Sequence, residues 1–432
     1  MTTTGKNLES KGSEAKDWSL RLKYNAFGFF LLFLFFLPLY EAPKNIFSVL
    51  FVFLGGWVAF YRENAADRFK SKDPVVWAFF LLAISPFMAG WGSPYMDLSS
   101  RLSSALNWVL MPLVALVIIL VNFSKTQLLW ALRSICLGSV IAVGEAFYSW
   151  SGTYPELNSV GQVNQSALYL AFCLIPAASL VVQNVHKLDL LLGLVVILAV
   201  FSFQGPARSM VGFGTSLAVI VGMWSIYCWN RRYLKLLVGS LLVGFVTFSF
   251  LVTQAAQGFG IYAGFKQEFD YFLSSKSNPY SQRDRLVNTA ITVAGESFLG
   301  FGLGSFGKAT QSSEIQKVVE AEGKDWAVER GNYFSASHGH NIFANVLVER
   351  GWIGVSTLGI FLLYLLARFS RNLRVEESQI GVLVVVTICF AGLGQSTLHV
   401  EHGQLAFICL GFCLVLSSAR EELAPLRRVG PS

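Results

Sequence analysis

The run His338-Gly339-His340-Asn341 is followed, after nine intervening residues, by Gly351-Trp352-Ile353-Gly354, with Glu349 two positions ahead of the first glycine. Histidine is the side chain best suited to take a proton near neutral pH. Ile342, Phe343, Val346 and Leu347 recur at helical spacing. That predicts an amphipathic helix starting near His340 and breaking near Gly351. A histidine at the head of such a helix is either a general base for an attacking hydroxyl or a surface residue that caps the helix.

Three other groups have the chemistry of a site. In Gln204-Gly205-Pro206-Ala207-Arg208-Ser209 a lone arginine sits in a very short connection. It either meets an anionic ligand or snorkels toward lipid headgroups. In Ser281-Gln282-Arg283-Asp284-Arg285 two guanidiniums stand at i and i+2, which on a helix face different ways. One offers a planar fork to a phosphate while the other pairs with Asp284 or solvent, or the group is a surface salt-bridge cluster. In Gly161-Gln162-Val163-Asn164-Gln165 the amides of Asn164 and Gln165 hydrogen-bond a sugar or cap a helix.

Other patterns carry less. Gly302-Leu303-Gly304-Ser305-Phe306-Gly307 matches G-x-G-x-x-G, but no strand–helix–strand unit surrounds it, so it reads as a tight turn. His338, His340, His399, Glu401 and His402 have no established ligand spacing, and no metal or other cofactor is expected. The six cysteines lie in apolar runs without CxxC spacing and read as core residues. Arg133 and Glu145 are over three helical turns apart and are expected to find different partners.

The elements that must position these residues follow from composition. Of the 432 residues, 54% are hydrophobic and only 14% are charged, against about 25% charged in a soluble domain. This excludes a soluble globular enzyme, a disordered chain and a nucleic-acid-binding domain. A hydrocarbon layer needs about 20 apolar residues per helix. The expected fold is therefore all-α: a polytopic integral membrane protein with about twelve transmembrane helices, at roughly 25–41, 45–61, 74–91, 105–123, 127–149, 165–184, 188–204, 209–229, 233–253, 351–369, 379–398 and 402–419. Most Lys and Arg fall on one side of this arrangement. The short connections on the other side carry only Lys44, Arg101 and Arg208. By the positive-inside rule both termini are expected in the cytoplasm, and the net charge of +7 is a topology signal.

The expected organisation is a cytoplasmic leader over 1–24, unstructured in its first residues, then helices one to nine over 25–253. A large helical periplasmic loop follows over 254–350, helices ten to twelve over 351–419, and a cytoplasmic tail over 420–432.

With His340-Asn341 and Gly351-x-x-Gly354 go the Arg208-Ser209 pair, Ser281-Gln282-Arg283 and the turn Leu299-Gly300-x-Gly302-x-Gly304-x-Phe306. Together these resemble the O-antigen ligase and polymerase superfamily. The resemblance covers about 160–400, and the earlier helices only in hydropathy. The chain has Ser297-Phe298 where such proteins usually carry proline before the glycine turn.

The resemblance implies glycosyl transfer from an undecaprenyl pyrophosphate-linked glycan at the periplasmic face of the bacterial inner membrane. It needs no metal or nucleotide sugar. The acceptor is lipid A-core in a ligase, another repeat unit in a polymerase, or a protein hydroxyl in an O-oligosaccharyltransferase. It assigns a general base to His340, favoured over His338 by the spacing to Gly351, and pyrophosphate ligands to Arg208 with Arg283 or Arg285; His338, Asn341, Asn164 and Gln165 are expected as possible substrate contacts. A transporter or flippase of lipid-linked glycans is the competing expectation from a different class.

Overall fold

Long apolar runs can satisfy their backbone in lipid only as helices, and helices are what the computed structural model contains. It describes residues 4–61, 74–91, 93–151, 154–183, 186–207, 209–231, 287, 289–310, 339–398 and 400–423. In chain order the helices are α1 (Thr4–Phe36), α2 (Glu41–Tyr61), α3 (Pro74–Met88), α4 (Leu98–Val121), α5 (Lys125–Tyr148), α6 (Val163–Gln183), α7 (Lys187–Ala207), α8 (Met210–Arg231), the short α9 (Phe306–Thr310), α10 (Ile342–Ser370), α11 (Glu376–Gly394) and α12 (Val400–Leu423). Among the described residues there is no strand, only one isolated bridge between Leu157 and Gly161.

Nine helices of the described residues are long and apolar enough to cross a membrane, and α3 is a shorter apolar helix. The bundle's exterior is itself apolar. Phe53, Phe60, Leu198, Ile360, Leu363 and Leu393 are all exposed. An exterior this apolar suits lipid, not water. The chain is a multi-pass, all-helical membrane protein.

Several expected boundaries shift. The ninth expected span, 233–253, and most of the expected loop lie outside the described residues. The first expected span overlaps the distal part of α1, which begins at Thr4 and so takes in most of the leader. From Thr4 on, the leader is therefore helical, not unstructured as expected. Lys, Glu, Ala and Leu dominate 6–23 without a proline, and these are good helix formers. The tenth span begins early, because α10 takes in the segment after His340. α12 likewise extends to Leu423, into the expected tail.

α6 and α12 form the centre. α6 packs on α5, α7, α8 and α12, and α12 on α4, α6 and α11. α1 and α2 pack together against α4 and α5, and α10 lies against α3 and α11. Aromatic rings fill the seams: Phe30 stacks on Phe51 with centroids 4.5 Å apart, and Phe79 meets Phe361 edge-on at 4.9 Å. Ser159 N in the α5–α6 connection donates to the Pro38 carbonyl in the α1–α2 connection, Gln204 near the end of α7 reaches the Ala167 carbonyl near the start of α6, Lys44 on α2 pairs with Glu401 on α12, and His340 bonds Gln395. The α1–α2, α3–α4, α5–α6, α7–α8 and α11–α12 connections and the start of α10 therefore gather at one end of the bundle, here termed the His340 end. Contacts across that end agree. The Tyr40 hydroxyl donates to Glu145 Oε1 at 3.0 Å, and Gly90 N donates to the Leu299 carbonyl at 3.2 Å. The glutamate beside it pushes the Tyr40 phenol above its ordinary range.

Candidate functional site

α10 opens with a strong local signal. Asn341 is extended and accepts from Phe343 N at 2.9 Å and Ala344 N at 3.1 Å through its side-chain oxygen. These are helix-start donors with no intrahelical acceptor. The cap is thus Asn341, and the residue before it is His340, half-buried, with φ at 47°. A left-handed backbone costs a non-glycine residue about 1–2 kcal/mol, so contacts on both sides must hold it. Gly339 N donates to Asn345 Oδ1 at 3.1 Å, and Asn341 Nδ2 donates to the Leu393 carbonyl at 3.3 Å. The imidazole itself is tied by Nδ1 to Gln395 Oε1 at 2.7 Å. Both Leu393 and Gln395 belong to the C-terminal end of α11, where helix carbonyls concentrate partial negative charge.

The helix breaks at Gly351, whose φ of 62° and ψ of −162° are non-helical. The break frees carbonyls that would accept within the helix. Val348 O instead accepts from Phe301 N at 2.9 Å and Glu349 O from Gly302 N at 2.8 Å, while Trp352 N donates to Phe298 O at 3.1 Å. The Glu349 side chain accepts from Gly304 N at 2.9 Å. The expected tight turn is therefore a docking piece for the kink, and Gly300, Gly302 and Gly304 all have positive φ. At Gly300 an added Cβ would stand 2.6 Å from Arg350 N, so only glycine fits.

The α3–α4 connection closes over this turn. Tyr95 meets Phe301 edge-on with centroids 5.2 Å apart, and Arg101 Nη1 donates to the Gly90 carbonyl. Asp97 caps α4, and its bonds from Ser100 and Ser99 hold its carboxyl down at about 2. Arg350, 4% exposed, lays its guanidinium 3.8 Å from the ring centre of Trp108 on α4.

A second polar group sits beside Gln395, in and after the α11–α12 connection. Gln395, Ser396, Thr397, Glu401, His402 and Gln404 are all buried. His402 Nε2 contacts the Ser396 carbonyl at 2.8 Å, and Glu401 Oε1 pairs with Lys44 of α2. Two of the short-connection cations, Lys44 and Arg101, thus have partners at this end.

The expected site residues divide clearly. His340 and Asn341 stand together. Asn164 and Gln165 lie on the first turn of α6 at the same end, with Gln165 buried and Asn164 partly so. Arg208, Arg283, Arg285 and His338 lie outside the described residues. Arg133 and Glu145 do have different partners: Arg133 makes a two-pronged bond to Asp189 at 2.7 and 3.0 Å, while Glu145 accepts from Tyr40 and Asn158. Gln395 and Lys44 were missed as site residues. The signal for Gln395 was a polar Gln-Ser-Thr run between two apolar helices, and for Lys44 a cation on the side where cations are scarce.

No family model matches the chain, and no curated protein matches it.

Proposed function

We propose that this chain is a glycosyltransferase of the O-antigen ligase type. It moves a glycan from undecaprenyl pyrophosphate to the lipid A-core oligosaccharide at the periplasmic face of the bacterial inner membrane, with both termini in the cytoplasm. His340 takes the proton of the attacking acceptor hydroxyl. The acceptor oxygen bonds to the anomeric carbon as the bond to the pyrophosphate oxygen breaks, so the anomeric centre inverts. The leaving pyrophosphate keeps the bonding electrons. Arg208 with Arg283 or Arg285 meets that charge, each charge-assisted bond contributing about 1.5–3 kcal/mol and more where water is excluded. Proton removal contributes roughly 10²–10⁴-fold.

The observation that carries this reading is the construction of the His340 motif. Its parts form one unit: a histidine fixed on three sides, an asparagine cap, and a glycine kink locked to the glycine turn. Such fixed placement of a base beside a polar end of a membrane bundle suits a reaction on a lipid-anchored substrate. Lys44 and Glu401 pair from the first turns of α2 and α12, and Asp189 on the first turn of α7 pairs with Arg133.

The test is lipopolysaccharide gel analysis of a strain whose only copy is His340→Ala. The expected result is core without attached polymer, with carrier-linked polymer accumulating and normal amounts of the protein in the membrane. Single-repeat decoration of the core would replace the ligase by a polymerase. Full-length attached polymer would remove the base assignment, and carrier stranded on the inner leaflet of a deletion strain would favour a flippase.

A further inference from the structure

Nδ1 of His340 is held by a side chain from the C-terminal end of another helix, and the chemistry of that contact has a direction. An amide oxygen only accepts. With Gln395 Oε1 at 2.7 Å from Nδ1, the proton of the neutral ring sits on Nδ1 and the basic lone pair on Nε2. We propose that Gln395 is the positioning residue of this site: it selects the Nδ1–H tautomer of His340 and aims Nε2 at the acceptor hydroxyl. This deepens the glycosyl-transfer reading and rests on it for the identity of the hydroxyl.

Three observations carry the assignment. Gln395 is 1% exposed, so solvent does not compete for its amide. Its Nε2 has no hydrogen-bond partner among the described residues, although buried amides are normally satisfied at both ends. The residue meets its need only toward the histidine. Its backbone is fixed independently, because Gln395 N caps α11 by donating to the Ala391 carbonyl at 2.9 Å. The side chain therefore projects from a rigid helix end. As His340 takes a proton, the Nδ1–H bond to Oε1 becomes charge-assisted and strengthens, which is a gain made in the transition state and not before it.

The experiment uses the full chain in lipid nanodiscs. Histidine is labelled with ¹⁵N, and His340 is assigned by the signal lost in His340→Gln. The wild type is expected to show the Nδ1-protonated tautomer. Gln395→Leu should show a mixture of tautomers, and Gln395→Glu, which keeps an acceptor, should restore the wild-type pattern. With undecaprenyl-pyrophosphate-linked glycan as donor and lipid A-core as acceptor, Gln395→Leu should lower kcat about 100-fold with KM within about twofold, as for a misplaced catalytic group. An unchanged tautomer in Gln395→Leu, or an effect confined to KM, overturns the proposal. If wild-type protein performs no transfer with this donor, the functional reading falls, while the nitrogen spectra still decide the role of Gln395.

Discussion

Arg350 has almost no access to water, and its guanidinium lies over the ring of Trp108 at 3.8 Å from the centre. A planar, weakly hydrated cation tolerates this position, whereas a lysine ammonium would have to be stripped of tightly held water. Arg350→Lys is expected to destabilise the protein by about 1–2 kcal/mol through the lost cation–π contact. Thermal unfolding followed with a thiol-reactive dye would measure this, since five of the six free cysteines are buried. Arg350 was not legible as a stacked residue, because Trp108 lies on a helix far away in the sequence. The same holds for Gln395, 55 positions from His340. Local features were legible: the helix beginning beside His340 and the break at Gly351 both follow from residue type and spacing.

At the scale of the element, the kink in α10 and the glycine turn are one structure. Gly300→Ala must place its Cβ against the Arg350 backbone, which cannot step aside as a flexible side chain would. The left-handed φ alone costs about 1–2 kcal/mol, and the clash adds to it. The expected result is a marked drop in unfolding temperature together with lost transfer activity. Gly359→Ala is the control within the same helix. Nothing lies within 4 Å of a Cβ there, so the change should be neutral or stabilising by about 0.5–1 kcal/mol. Equal destabilisation by both variants would show that the lock does not hold the kink. The sequence announced the turn through its glycines, but not its docking onto the helix break. Docking depends on backbone groups at Val348 and Glu349, and side-chain patterns do not report those.

Across the whole molecule, Lys44 on α2 reaches Glu401 on α12, 357 positions away. Removing one partner leaves a buried charge alone, so Lys44→Ala should cost about 3–5 kcal/mol, while the double change Lys44→Met with Glu401→Leu should be close to neutral. Unfolding temperatures of the three proteins check this, and a mild effect in Lys44→Ala would show that the pair is solvated. That the chain forms many long apolar helices was legible from the length of its apolar runs. Which helices became neighbours was not, because lipid-facing and core-facing surfaces are equally apolar. The break at Gly351 has one more consequence. His340 stands about 16 Å up the helix from that pivot at 1.5 Å per residue. Were α10 a straight rod, a swing of about 5°, small against the spread of membrane helix tilts, would sweep the imidazole sideways by about 1.4 Å, more than a reaction tolerates. The glycine turn bonds both flanks of the break, Val348 and Glu349 before it and Trp352 after it, and so braces the first segment of α10 against such a swing, like a strut across a bent beam.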